Sequence, residues 1–246
     1  MGAFHTKELH TIHFDNPDEK RAYNNRLFSI VAPRYAMASR ILSLGNDQRW
    51  KRALIAILPQ TTAPRICDLA CGPGDLIRLL QARFIDASIL GIDLSADMLA
   101  RRQEQLTTPR TSFYRADMLR LPLTDNCIDI CTGGYALRNA PDIPGTIREI
   151  NRVLKPGGYA ALLEFSRSDN AVVAATYNLV LYLWGALIGL MLHRDHNVYA
   201  YLARSVKQLP SRTALRNHFR DNGFTCTVSK IFFLGMIEIT LYRKER

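Results

Sequence analysis

Arg65-Ile66-Cys67-Asp68-Leu69-Ala70-Cys71-Gly72-Pro73-Gly74-Asp75-Leu76 passes from an apolar run, through an acid and two glycines, into an amphipathic segment. That order predicts a strand, a tight turn and a helix. Gly72 and Gly74 carry no Cβ, so the turn backbone can come close to a ligand. The helix that follows offers free N–H groups at its start. Downstream, Ile89-Leu90-Gly91-Ile92-Asp93 predicts a second strand ending in an acid. In a doubly wound α/β fold an acid there takes ribose hydroxyls. A nucleoside-containing cofactor is therefore expected, held around Asp68, Ala70, Gly72, Gly74, Asp93 and Leu94.

The identity of the cofactor follows by elimination. A dinucleotide fingerprint needs a third glycine three residues after Gly74, and that residue is Ile77. A phosphate-binding loop needs Gly-Lys-Ser/Thr, which the chain lacks. A turn without lysine that carries Asp68 and Asp75 suits a cation better than a polyanion. The sulfonium and ammonium of S-adenosylmethionine meet that description. The order acid-x-Ala-x-Gly-x-Gly resembles the first motif of class I methyltransferases. Ser95 is placed to cap a helix, and Met98 in its first turn is read either as a cover for the adenine face or as core. Ser112-Phe113-Tyr114-Arg115-Ala116-Asp117-Met118 predicts a third strand, with Asp117 to accept from the adenine amino group and Met118 beside it. Cys127 to Gly134 predicts a fourth strand. Polar turns at successive strand ends match the rule that ligands sit beyond the carboxyl ends of a parallel sheet.

The 246 residues fit one domain, or one domain with a cap. Hydrophobic residues make up 48% of the chain, enough for a large core. Of five cysteines, four lie in two C-x3-C pairs, Cys67/Cys71 and Cys127/Cys131. In a strand that spacing puts both sulfurs on one face, unlike the C-x2-C of a zinc site, so no metal is expected. Buried free thiols point to a reducing compartment. Residues 1–20 are polar, carry His5, His10 and His13, and show no secretory pattern. They are read as a flexible tail, with the domain over residues 21–246, and a cytoplasmic location is expected. The net charge is +10, but the basic residues are scattered and no nucleic-acid module is present, so nucleic acid is not the expected partner. Such a charge also suits an anionic membrane face.

Ala171 to Leu192 carries no formal charge and is long enough to cross a bilayer. A crossing would separate the predicted strand Gly158–Phe165 from the predicted strands Thr225–Lys230 and Gly235–Tyr242. The stretch is therefore read as an inserted helical cap over about residues 168–210. It could line a hydrophobic pocket and rest peripherally on a membrane.

Linked segments resemble the ubiquinone/menaquinone biosynthesis C-methyltransferases over nearly the whole chain after Ala22. They are Phe28-Ser29-Ile30-Val31-Ala32-Pro33-Arg34-Tyr35, Leu42 to Lys51 with Trp50, the cofactor turn, Leu137-Arg138-Asn139, and Ile147 to Gly158. Glu164-Phe165-Ser166, Asp195 to Leu202 and Asn222-Gly223-Phe224 complete the set. The family usually has Asp after the tyrosine of its first motif, where this chain has Ala36. It usually has Thr in the cofactor turn, where this chain has Pro73. A cap proline is replaced near Ala186, and His193-Arg194-Asp195-His196 is unusually rich in titratable groups.

The resemblance implies an α/β fold with a doubly wound, mostly parallel seven-stranded, Rossmann-like sheet, N-terminal helices and an inserted helical cap. It implies an S-adenosylmethionine-dependent C-methyltransferase acting on a polyprenylated quinol at the inner face of the membrane. A quinol carbon becomes nucleophilic when the adjacent hydroxyl loses its proton. Arg138 is then the expected phenolate stabiliser, with Asp142 or Glu149 as the partner it would have in a structural role. His196 is the candidate base, with Asp195 beside it, and Tyr199 and Tyr201 are candidates to bond the quinol oxygens. The competing reading keeps the cofactor but changes the transfer or the acceptor, to another quinone modification or a hydrophobic secondary metabolite. An RNA methyltransferase and a non-catalytic subunit of a quinone-synthesis complex rank lower. A homodimer or such a complex is left open.

Overall fold

The computed structural model describes residues 16–102 and 104–245. His5, His10 and His13 lie outside the described residues. Seven strands form one sheet: β1 (Arg65–Leu69), β2 (Ser88–Asp93), β3 (Thr111–Arg115), β4 (Ile128–Gly134), β5 (Leu154–Phe165), β6 (Phe224–Phe232) and β7 (Ile237–Lys244). Their order is β3-β2-β1-β4-β5-β7-β6. The first five run parallel, and β7 lies antiparallel between β5 and β6. The chain reverses direction across the sheet between β1 and β4, the switch point where α/β folds bind ligands.

The central strands read as continuous apolar runs because helices cover both faces. Alternate residues serve opposite cores. Cys67, Leu69, Cys131 and Leu162 face Ile147, Ile150 and Phe219 on one side. Ile66, Ile130, Ala161 and Leu163 face Leu54, Ile77 and Leu80 on the other. All five cysteines are free, and four are buried. The expectation that each C-x3-C pair shares a face holds for Cys127 and Cys131 but fails for Cys67 and Cys71, which serve opposite cores. The strand ends at Leu69, and Ala70 at φ 49° turns the chain before Cys71.

Helices α1 (Pro17–Val31), α2 (Tyr35–Leu42) and α3 (Asp47–Ala56) precede the sheet. Pro17 to Lys20, read as tail from the sequence, form the first turn of α1. Asn16 caps it by accepting from the N–H groups of Asp18 and Glu19. Helices α4 (Asp75–Arg83), α5 (Ala96–Leu99) and α6 (Ile143–Val153) connect the strands. Ser95 caps α5, its hydroxyl accepting from Met98 N–H. Helices α7 (Ala171–His193), α8 (Asn197–Gln208) and α9 (Arg212–Asp221) lie between β5 and β6.

The cap helices α7 and α8 close on α1 and α2 through Tyr23, Leu27, Val31, Ala38, Ile188, Val198, Tyr199 and Tyr201. Gly189 permits the tight α7–α8 turn, since a Cβ there would lie 2.5 Å from the Asp195 carbonyl oxygen. Helix α7 does not cross a bilayer: β7 pairs with β5 over seven residues, so the chain on both sides of α7 joins one sheet. Nor is it a buried core helix. Only 17% of its most apolar window is buried, and Val172, Leu179, Leu183, Leu187, Leu190 and Met191 are exposed.

Candidate active site

A cavity opens beyond the carboxyl ends of β1, β2 and β4, lined by Ala70, Gly72, Asp93, Leu94, Met98, Asp117 and Met118. Seven of the nine residues expected to hold the cofactor are therefore brought together. The other two stand behind the wall. Gly74 is the N-cap of α4 at φ 93°, and a Cβ there would lie 2.7 Å from Leu106 Cδ1. Its absent side chain serves the turn and its packing. Asp68 is buried beneath the turn, where Oδ1 accepts from Thr132 Oγ at 2.6 Å.

The turn is tied to β2 by its acid. Asp93 Oδ2 accepts from Gly72 N–H and Oδ1 from Ser95 N–H, each at 2.8 Å. Burial pushes the Asp93 carboxyl above its ordinary range, and these backbone donors oppose the rise. At Gly72 (φ 54°) a Cβ would meet Met98 Cε at 3.1 Å. Asp117 is held by Arg21 Nε at 2.8 Å and by Leu119 N–H at 2.9 Å. These residues fit a cationic nucleoside. Asp93 and Asp117 line the cavity with Arg21, which is paired to Asp117, and with Arg138 at the far end, and Gly72 brings its backbone to the wall without a side chain.

A second, apolar cavity lies between the N-terminal helices and the cap. Leu27, Trp50, Phe165, Leu181, Tyr199 and Phe233 are among the residues that line it. Phe28, Tyr35, Tyr135 and Arg138 line both cavities, so a ligand in one meets a ligand in the other there. Arg138 follows β4 and is nearly buried. Its Nη1 donates to Ser205 Oγ and Asn139 Oδ1, both at 3.2 Å. Its acidic neighbour is Glu164, at 4.0 Å from Nε. The candidates Asp142 and Glu149 are engaged elsewhere, capping α6 and pairing with Arg152. Burial pushes the Glu164 carboxyl up, and the Arg138 charge opposes it.

Tyr199 and Tyr201 both line the apolar cavity. The Tyr201 hydroxyl sits between the side chains of Asn24 and Asn139, 3.0 Å from the latter. The Tyr199 hydroxyl lies 3.1 Å from His193 Nε2, and burial raises its pKa to about 12. His196 is exposed and Asp195 accepts from Asn197 N–H at the start of α8. Neither lines either of these two cavities, so the structure does not bring the candidate base or its neighbour to the site. Ala36 is also exposed and lines neither cavity, whereas Tyr35 beside it lines both.

Sequence reasoning passed over Asp47, which lines the apolar cavity. Lys51 Nζ lies 2.7 Å from Asp47 Oδ2 and 2.6 Å from Asp75 Oδ2. The available signal was a three-turn helix whose apolar face, Trp50 and Leu54, is interrupted by a buried Asp–Lys pair at i and i+4.

The family model described as the ubiE/COQ5 methyltransferase family matches residues 16–242. A ubiquinone/menaquinone biosynthesis C-methyltransferase UbiE from Desulfotalea psychrophila is 31% identical over 214 residues, covering 87% of this chain and 87% of that protein. A 2-phytyl-1,4-naphtoquinone methyltransferase from Nostoc punctiforme is 32% identical over 223 residues, covering 89% of this chain and 96% of that one. An S-adenosylmethionine-dependent methyltransferase structure from Mesorhizobium loti superposes with TM-score 0.57 at 20% identity, covering 78% of this chain and 96% of that one. Another from Aquifex aeolicus gives TM-score 0.56 at 14% identity, covering 84% and 97%. At those identities the likeness is one of fold.

Proposed function

This chain belongs to the ubiE/COQ5 methyltransferase family, and we propose that it methylates a ring carbon of a polyprenylated quinol. By family and fold it is an S-adenosylmethionine-dependent enzyme. The cofactor supplies an electrophilic methyl group on a sulfonium. The observation that carries the acceptor reading is an apolar cavity that meets the cofactor cavity at Phe28, Tyr35, Tyr135 and Arg138. Asp93 and Asp117 hold the nucleoside. Trp50, Phe165 and Leu181 hold the ring and the start of its tail and exclude water. Arg138 faces the point where phenolate charge develops, and its fixed guanidinium stabilises that charge.

The tail leads to a membrane. The exposed residues of α7 are uncharged along its length, and Ile231 and Leu234 add to the apolar surface. Tyr177 of α7 donates to the Leu234 carbonyl oxygen, and Phe233 both lines the cavity and is exposed. Arg34, at the end of α7, donates to the Leu192 carbonyl oxygen and, with Arg194, offers positive charge to anionic headgroups. Peripheral contact at the inner face of the membrane would place the cavity where a lipid-soluble quinol is found.

Purified protein supplied with methyl-labelled S-adenosylmethionine and short-tail benzoquinols and naphthoquinols tests the acceptor. Label on a ring carbon is expected. Tight cofactor binding with no label on the ring would overturn C-methylation and favour another transfer or acceptor. The Leu183→Glu/Leu187→Glu variant tests the membrane contact. Its sedimentation with anionic vesicles should weaken about 10- to 100-fold, with cofactor affinity unchanged; equal sedimentation refutes the contact.

A further inference from the structure

A third cavity, of about 440 Å3, runs along the first half of α7. Neither the cofactor nor the ring has a role for it. Ala174, Ala175 and Asn178 of α7, Val206 and Lys207 of α8, and the segment after β5 line it. The two alanines leave the helix wall shallow where larger side chains would fill the space. Asn178 Nδ2 donates to the Ala203 carbonyl oxygen at 2.6 Å, so the two cap helices are tied together beside the groove.

The groove meets the apolar cavity at Phe165, Leu181 and Met236, which line both. Leu181 and Met236 pack in one small apolar cluster with Val206. Methionine is unbranched and adapts its shape at little cost, so this joint yields without backbone movement. The apolar cavity is much the smaller, about 110 Å3, so a long chain on its ring has to leave it. Phe233 stands across another approach, its ring edge-on to Trp50 at a centroid distance of 5.8 Å. The Tyr177 hydroxyl donates to the neighbouring Leu234 carbonyl oxygen and ties that segment to α7. On its outer side the groove reaches Leu179 and Tyr182, both exposed on the uncharged surface of α7. Its rim carries Asp169 as well as Arg167 and Lys207. That mixed rim favours an uncharged chain over a phosphate-bearing lipid.

We propose that this groove is the subsite for the polyprenyl tail. The chain leaves the ring cavity between Leu181 and Met236, runs along Ala174 and Ala175, and emerges at Leu179 and Tyr182 on the apolar surface of α7. Each prenyl unit laid in the groove removes apolar surface from water on both partners. The enzyme therefore reads tail length as well as the ring, up to the length the groove covers. Beyond Tyr182 the chain continues over the helix surface that contacts the bilayer. The inference rests on the quinol reading and adds to it the path of the tail.

The test compares methylation of two naphthoquinols, with tails of one and three prenyl units, by full-length protein and methyl-labelled S-adenosylmethionine without vesicles. The parent should favour the longer tail in kcat/KM by about 10-fold or more. Ala174→Phe puts a ring into the groove, so that ratio should fall close to one while kcat/KM for the one-prenyl compound stays within about twofold. Ala175→Phe, at an exposed position, should do the same and serves if the first variant does not fold. A ratio unchanged in the folded variants overturns the tail path and leaves the quinol reading intact. So does a parent with no preference for the longer tail, and so does a retained ratio with loss of co-purifying lipid, which assigns the groove to a lipid. A parent that binds cofactor but methylates neither compound overturns the quinol reading itself.

Discussion

Replacing Asp68 with Asn should stabilise the cofactor-free protein, by an amount that grows with pH. Asp68 is 1% exposed at the end of β1. Its Oδ1 accepts from Thr132, and its Oδ2 has no hydrogen-bond partner among the described residues. Burial pushes its carboxyl up to about 7, against the opposing Thr132 bond and Lys51 charge. In the unfolded chain the same carboxyl loses its proton near 3.9. Between those values the folded state keeps a proton that the unfolded state releases, so stability falls as pH rises. The loss is complete above about pH 7. A gap of about three pH units at about 1.4 kcal/mol each makes it about 4 kcal/mol.

The asparagine carries no charge and keeps an oxygen for Thr132. It puts an NH2 group where Oδ2 stood, at about 1–3 kcal/mol for an unpaired donor. The variant should therefore gain about 1–3 kcal/mol over the parent at pH 8. It should gain little at pH 5, about one unit above the unfolded value, where only about 1.5 kcal/mol of the loss has accrued and the amide cost offsets it. Urea unfolding of both proteins from pH 5 to 8 measures the difference. A difference that stays flat across that range would show that Asp68 is ionised in the fold throughout, and would refute the reasoning.

Arg138→Ala and Arg138→Lys should each lower turnover about 100-fold or more while cofactor affinity changes less than about threefold. The lysine keeps the charge and loses the planar fork. Preserved turnover in steady-state assays would make Arg138 structural. Gly74→Ala should cost about 1–3 kcal/mol, read by urea unfolding, because its φ of 93° strains any side chain and the new Cβ meets Leu106. Adding Leu106→Ala should relieve only the contact; full recovery would show that the backbone conformation is not the cause.

The cofactor site was legible because its parts are local. Asp68 to Asp75 and Ile89 to Asp93 are short segments in which an apolar run, an acid and a flexible turn follow one another. Parallel pairing of β1 with β2 is all that is needed to bring them together. Met98 was ambiguous from sequence for a real reason, since it is 3% exposed and also lines the cavity. The acceptor site was less legible because α1, α2, α3, the segment after β4, β5, α7 and α8 all contribute to it. Histidine chemistry favoured His196, yet His196 faces solvent at the cap turn. Ala36 drew attention by its neighbour's motif, but a helix turns successive side chains by about 100°, so Tyr35 enters the cavities and Ala36 does not.

By itself the sequence determined the α/β class, the cofactor turn and the acids at the strand ends. Each of these depends on residue order, apolar period and backbone freedom, which act over a few residues. Only the tertiary structure decided which side chains face each other across the cap. It put Arg138 beside Glu164, placed the Asp47–Lys51 pair in the wall of the apolar cavity, left His196 outside and exposed the uncharged face of α7. Those outcomes depend on helix rotation and on the packing of segments as many as 177 residues apart, as between Asn24 and Tyr201, and no local pattern encodes them.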